Sequence, residues 1–177
     1  MKGATTVQEA IDRLAGLLGL ADKMPVTIEY RFRGRTGSLA WWMESLMDEG
    51  ERLKRKVEPP DRTAWNDDMF RQRVFMELVH DTDRNLTNVL VSPQWRVIMI
   101  DFTRAFRLWD TVRMAELHRI DRRLLARLEA LSRDEVTRAA EAHLTPGEID
   151  AVMKRRDLIV AHYRARMKQL GEVRVLY

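Results

Sequence analysis

Hydrophobic and polar positions recur along this chain with two different periods, and each change of period marks an element. Thr6-Val7-Gln8-Glu9 has the form of a capping box, and Ala10, Leu14, Leu17 and Leu18 then recur at helical spacing as far as Gly19. That pattern predicts an amphipathic helix of about four turns. Beyond Pro25 the period falls to two. Val26-Thr27-Ile28-Glu29-Tyr30-Arg31-Phe32 alternates and is rich in β-branched and aromatic residues, so it predicts a strand, and Gly34-Arg35-Thr36-Gly37 supplies the turn to a second strand around Ser38 to Trp42. The charged stretch from Glu49 to Arg62, broken by Pro59-Pro60, predicts a loop. Phe70, Val74, Phe75 and Leu78 restore the helical period within Trp65 to Val79, a buried helix ending near His80.

Asp81 to Asn88 is polar and predicts a loop. Val89 to Val91, the turn Ser92-Pro93-Gln94-Trp95 and Arg96 to Ile100 predict a hairpin, with Val97, Met99 and Ile100 buried against Phe75 or Leu78. The rest reads as helical. Ser132 with Glu135, and Thr145-Pro146 with Glu148, open two helices, the second running through Met153, Ile159 and Tyr163 to Gly171. The expected fold class is therefore α+β, with a short antiparallel sheet near the N-terminus and a mostly helical lobe behind it.

Composition narrows this picture in three ways. At 177 residues and 45% hydrophobic, the chain is long enough for one domain with a real core. The absence of cysteine excludes disulfides and thiolate zinc sites, and no apolar run approaches the ~18 residues of a membrane span. Met1 to Thr6 carries no signal-peptide pattern, so a cytoplasmic location is expected by default. The net charge of +4, from 31 Lys+Arg against 27 Asp+Glu, is spread among interleaved acids and does not point to nucleic acid as a partner. Arg52, Lys54, Arg55 and Lys56 form its one dense cluster.

The chemistry concentrates in one place. The loop Asp83-Arg84-Asn85-Leu86-Thr87-Asn88 precedes a hairpin whose second strand delivers Ile100-Asp101-Phe102. Phosphoryl transfer from a nucleotide needs hard oxygen ligands for Mg²⁺ and a carboxylate beside the incoming hydroxyl, because catalysis there is mostly positioning and charge neutralisation. Asp83 and Asn88 are five residues apart and Asp101 lies thirteen further on, a spacing that resembles the catalytic loop and Asp-Phe-Gly segment of protein kinases. The wording Asp-Arg-Asn-x-x-Asn is similar to the Asp-Arg-His-x-x-Asn loop of phosphatidylinositol 3/4-kinase-like enzymes and to the related loop of HipA-type kinases.

The resemblance covers roughly Pro25 to the C-terminus, and it implies a kinase-like fold. Residues 1–45 would form a partial small lobe of helix, two strands and hinge, and residues 46–177 the large lobe. It further implies Asp83 as the catalytic aspartate, Asn88 and Asp101 as metal ligands, and Trp42, Met43 and Glu44 as the hinge that meets the nucleotide. ATP and Mg²⁺ are the implied cofactors, with a protein hydroxyl or small alcohol as acceptor. Asn85 stands where the lipid and HipA-type kinases have His, and Thr103 replaces the Gly of Asp-Phe-Gly. The Gly-rich phosphate loop and its strand lysine find no match, with Glu9 or Gln8 aligning to the lysine's acidic partner. A longer protein, or a start lying further upstream, is one expectation from that.

Other readings of the same residues stay open. Asp83 and Asn88 are residue types that cap turns through their own backbone, and Asp101 has the position of a helix cap after a strand. Asp81 is a reserve acid, and Gly34 to Gly37 reads as a hairpin turn before a phosphate cradle. Trp41 and Trp42 are expected to be one packed and one facing the hinge. His118, His143 and His162 show no ligand spacing. Two functions compete: an ATP-dependent phosphotransferase, and a non-catalytic kinase-like binding or regulatory module.

Overall fold

A computed structural model describes residues 4–83 and 85–177. Helix α1, Ala4–Leu18, buries Val7, Ala10, Ile11, Leu14 and Leu18 along one stripe and packs against a hairpin of β1, Thr27–Phe32, and β2, Arg35–Ala40. It begins before Thr6, so the capping box expected there falls inside the helix, and the Thr6 side chain lies outside the described residues. The hairpin turns through Arg33 (φ 48°) and Gly34 (φ 77°), two left-handed positions in succession whose twist matches that of the flanking strands. Phe32 therefore pairs with Arg35, and the turn is tighter and earlier than Gly34 to Gly37.

A second sheet of three antiparallel strands, ordered β3-β4-β5, comprises Met47–Asp48, Val89–Val91 and Val97–Met99. Helix α2, Glu49–Arg55, follows β3, where the sequence predicts a loop. Asp48 accepts a hydrogen bond from the Glu51 N–H (2.8 Å) as N-cap, acids fill the first turn and cations the last, and Pro59-Pro60 lies beyond the helix end. Capping and the helix dipole outweigh the charge density that suggested a loop. Helix α3, Arg62–Val79, starts three residues earlier than the apolar pattern because Asp61 caps the Thr63 and Ala64 N–H groups.

Past Asp101 the chain is irregular rather than helical as far as Asp121, apart from one short turn, Met114–Glu116. Its backbone is held by long-range partners in place of a ladder. The fully buried Arg155 donates through Nε to the Leu78 carbonyl (2.7 Å) and through Nη1 to the carbonyls of Arg107 (3.0 Å) and Trp109 (2.6 Å). Glu77 accepts from the Arg113 N–H (2.9 Å). Four helices complete the lobe: α4, Arg122–Ala130; α5, Arg133–Ala140; α6, Pro146–Leu170; and α7, Glu172–Val175. The capping boxes at Ser132/Glu135 and Thr145/Glu148 are both formed.

The core joins α3, β5 and α6. Val97 and Met99 are buried against α3, Phe75 meets Phe102 edge to face at 5.7 Å, and Ile159 and Tyr163 of α6 are fully buried. Ile100, expected in this core, lies one residue past β5 and is half-buried. Among the described residues no helix is long and apolar enough to cross a membrane.

Candidate active site

Two paired strands bring the two halves of the sequence motif together. Asn88 precedes β4 and Ile100 follows β5, and the Ile100 N–H donates to the Asn88 carbonyl at 3.0 Å. Asp101 is thus one residue from the point where the strands meet. Its backbone takes the left-handed region at φ 56°, uncommon for a residue with a side chain, which breaks the strand and turns the carboxylate away from the ladder. Asp101 Oδ1 accepts from the Thr103 hydroxyl at 2.8 Å, so Thr103 orients this carboxylate. The Asn88 side-chain nitrogen is buried, and among the described residues it meets no hydrogen-bond partner.

The loop before β4 is a chain of side-chain turns. Asp81 Oδ1 accepts from the Asp83 N–H (3.1 Å), Asp83 Oδ1 from the Asn85 N–H (3.3 Å), and Asn85 Oδ1 from the Thr87 N–H (3.1 Å). The turn-capping reading of Asp83 and Asn88 is realised for Asp83, and Asn85, to which that reading does not extend, caps a turn in the same way. The second oxygen of Asp83 remains and lies 3.7 Å from Arg104 Nε. Arg84 lies outside the described residues. Asp81 is buried beneath the loop, and burial, with the neighbouring carboxylates of Asp83 and Asp101, pushes its carboxyl up to about 6 against the opposing pull of the Asp83 N–H and Arg104.

Beside Asp101 opens a cavity of about 400 Å³ between the β1–β2 hairpin, α1 and the β4–β5 hairpin. Trp42, Met43 and Ser45 line one wall, Leu90, Ile100, Asp101 and Thr103 the other, and Gln8 of α1 reaches in from the back. Glu44 is exposed and is not among the lining residues. Trp41 and Trp42 are 74% and 88% exposed, so neither is packed in the way the sequence suggests. Gln8 donates to Asp12 one turn along (2.8 Å), whereas Glu9 points to the other side of α1 and meets His143 at 3.2 Å. The phase of α1 decides between these neighbours: with Val7, Ala10, Ile11 and Leu14 inward, Gln8 and Asp12 fall on the flank beside the hairpin.

The arrangement has the donor chemistry that a hard cation uses. Mg²⁺ takes oxygen ligands, keeps several waters, and is held by one or two protein side chains together with substrate phosphates. Asn88 and Asp101 each carry a side-chain oxygen of that kind near the facing ends of β4 and β5, and Asp101 lines the cavity. Among the described residues no three acidic or histidine side chains form a protein-only cage.

No family model matches this chain, and no curated protein does. Solved structures do. The structure of hydra Fam20 with sugar aligns with a TM-score of 0.69 over 98% of this chain and 74% of its own length, at 12% identity. Fam20 has an atypical protein-kinase-like fold. A mostly helical domain with a small N-terminal β region, built as a kinase-like fold, is the architecture of this chain.

Proposed function

We propose that this chain is the catalytic lobe of an ATP- and Mg²⁺-dependent phosphotransferase, with residues 1–45 as part of the small lobe and 46–177 as the large one. The observation that carries the reading is the cavity of about 400 Å³ with Asp101 on its wall and Asn88 joined to the neighbouring residue across the hairpin. Its size falls within the ~300–1,000 Å³ of small-molecule sites. The apolar wall of Ala40, Trp42, Met43 and Leu90 suits a flat base, and the Trp42 to Glu44 segment follows β2 as a hinge would. The loop wording supports kinship with the phosphatidylinositol 3/4-kinase-like and HipA-type enzymes within that fold.

In this reading Asn88 and Asp101 hold the metal, and Thr103 keeps the Asp101 carboxylate aimed. When bound, Mg²⁺ neutralises charge on the phosphate oxygens that separate during transfer. Asp83, with one oxygen committed to its turn and one beside Arg104, orients the acceptor hydroxyl and receives its proton. The acceptor is a protein hydroxyl or small alcohol, and the sugar in the hydra Fam20 structure makes sugar hydroxyls the first to try. A second reading, a kinase-like module that binds without turnover, is favoured by one feature: among the described residues, none of those lining the cavity is a lysine or arginine that would clamp phosphates.

The two readings separate in one experiment. Titration calorimetry with ATP, with and without Mg²⁺, should show Mg²⁺-dependent binding that Asp101→Ala abolishes. Transfer of labelled phosphate to sugar and protein acceptors, if lost in Asp83→Ala, supports the enzyme. Binding without transfer supports the module, and Mg²⁺-dependent affinity that survives Asp101→Ala overturns the site.

A further inference from the structure

The β1–β2 hairpin has two unlike faces. Thr27 lines the cavity, whereas Val26, Ile28 and Leu39 line a groove on the opposite face, which Trp41 at the hairpin's end shares with the cavity. Tyr30 and Phe32 continue that outer face, their rings stacked side by side with centroids 6.5 Å apart. All six of these apolar side chains are exposed, from 48% at Tyr30 to 74% at Trp41. Monomeric proteins rarely show so contiguous an apolar surface, and a two-stranded ribbon is marginal without a third strand.

The outer edge of β1 is also undefended. Among the described residues β1 pairs with β2 alone, and Thr27–Phe32 contains no proline, lysine or glycine to discourage another strand. An edge of this kind is completed by strand addition, with backbone hydrogen bonds giving affinity and side-chain register giving specificity.

We infer that the occupant is a second copy of this chain, paired antiparallel through β1 about a two-fold axis at Tyr30. The charge pattern selects this partner and this register. About Tyr30, Glu29 faces Arg31 of the second copy twice over, Ile28 faces Phe32, and Tyr30 faces Tyr30. Every cross-strand pair is then complementary, and the apolar residues of both copies share one face of a four-stranded sheet. Moving the axis to Glu29 sets Glu29 against Glu29, and moving it to Arg31 sets Arg31 against Arg31. Both registers are rejected by like charges directly opposite. The β2 edge offers no such code, since Arg35 is its one charged residue and Gly37 interrupts it.

Light scattering behind size-exclusion chromatography tests this on the full chain over a concentration series. The mass of the wild type should rise towards twice the 20.8 kDa of one chain. Glu29→Arg and Arg31→Glu should each remain monomeric with unchanged circular dichroism, because each places like charges opposite one another. An equimolar mixture of the two variants should dimerise again. In the mixed pair the new arginine at position 29 meets the new glutamate at position 31, and Arg31 of the first variant meets Glu29 of the second. A wild type that stays monomeric throughout overturns the inference. So does a dimer indifferent to either reversal, which places the interface elsewhere, or a mixture that fails to associate while both variants are folded.

Discussion

Asp68 and the outer face of the hairpin break the same rule in opposite directions: one is a charge in the interior, the other an apolar surface in water. The molecule resolves the first by itself. Asp68 is 1% exposed and accepts from Lys23 Nζ (2.8 Å), Arg96 Nε (2.7 Å) and Arg71 Nη1 (2.9 Å), with the Val97 N–H at 3.3 Å. Burial pushes its carboxyl up, but the hydrogen bonds from Arg96 and Lys23 outweigh this and hold it below the ordinary carboxylate value. One residue thereby ties α3 to β5 and to the turn after α1. On the hairpin, Ile28, Tyr30 and Phe32 are about half exposed and nothing described covers them. Asp68 finds its partners within the chain, whereas the hairpin leaves an apolar face and a strand edge open.

If that contrast is right, the largest effect belongs to the interior. Asp68→Ala leaves Lys23, 3% exposed, with the exposed Asp22 at 3.5 Å as its one counter-charge among the described residues. Breaking a buried pair from one side costs about 3–5 kcal/mol, a large part of a typical total of about 5–15. Urea titration should show the lobe unfolding at much lower denaturant. A loss under ~1 kcal/mol, within the range of surface pairs, would mean that this interior is wet.

The next test separates two neighbours. Met99 is 2% exposed in the core, whereas Ile100 lines the cavity. An unpaired aspartate at position 99 has no polar partner, and the variant should be several kcal/mol less stable and largely unfolded. Ile100→Asp should cost about 1 kcal/mol, keep the native spectrum, and lower nucleotide affinity by placing an acid where the phosphates or base would lie. Equal damage from both substitutions would show that the cavity closes in solution.

How much of this could be read from the chain follows from where the information is local. The hairpin at Val89 to Ile100, the helix through Phe75 and Leu78, and both capping boxes after Leu131 are written in short-range patterns, and the structure contains them all. So does the proximity of Asn88 to Asp101, because a tight hairpin has little choice of register. Three things were hidden. Helix α2 was obscured by its charges, although the Asp48 cap and the acid-to-base gradient were there to be read. The irregular course from Phe102 to Asp121 depends on Arg155 and Glu77, which hold it from 36 to 48 residues away. The exposure of Trp41 and Trp42 is a tertiary fact about a two-stranded sheet, invisible to a period-two pattern.

Asp81, beneath the loop, links the contrast to pH. Its folded value of about 6 lies above the 3.8 of a free carboxyl, so the folded state binds this proton more tightly than the unfolded one. The stabilisation is complete below the unfolded value and is lost as pH rises through the folded one. At neutral pH the buried charge costs up to about 2–3 kcal/mol, at ~1.4 kcal/mol per unit. Asp81→Asn retains an oxygen for the Asp83 N–H and removes that charge. It should be more stable than wild type by about 2 kcal/mol at neutral pH and close to equal near pH 4, as read from urea midpoints at the two values. A wild type whose stability does not fall between those values would place the Asp81 carboxyl in water.

The smallest expected effect is the sharpest probe of the hairpin. Leu39 faces outward opposite Ile28 and is 51% exposed, on the strand remote from the proposed β1 seam, so it is in much the same surroundings in one copy or two. Leu39→Ser removes apolar area that is already largely wet, and surface changes of this kind stay within about 0.5 kcal/mol. Leu78→Ala, in contrast, deletes a fully buried side chain and should cost about 2–5 kcal/mol through lost transfer energy and the cavity left behind. Thermal melts of the two variants against the wild type measure the ratio directly. A Leu39 cost approaching that of Leu78 would mean that the outer face is covered in solution.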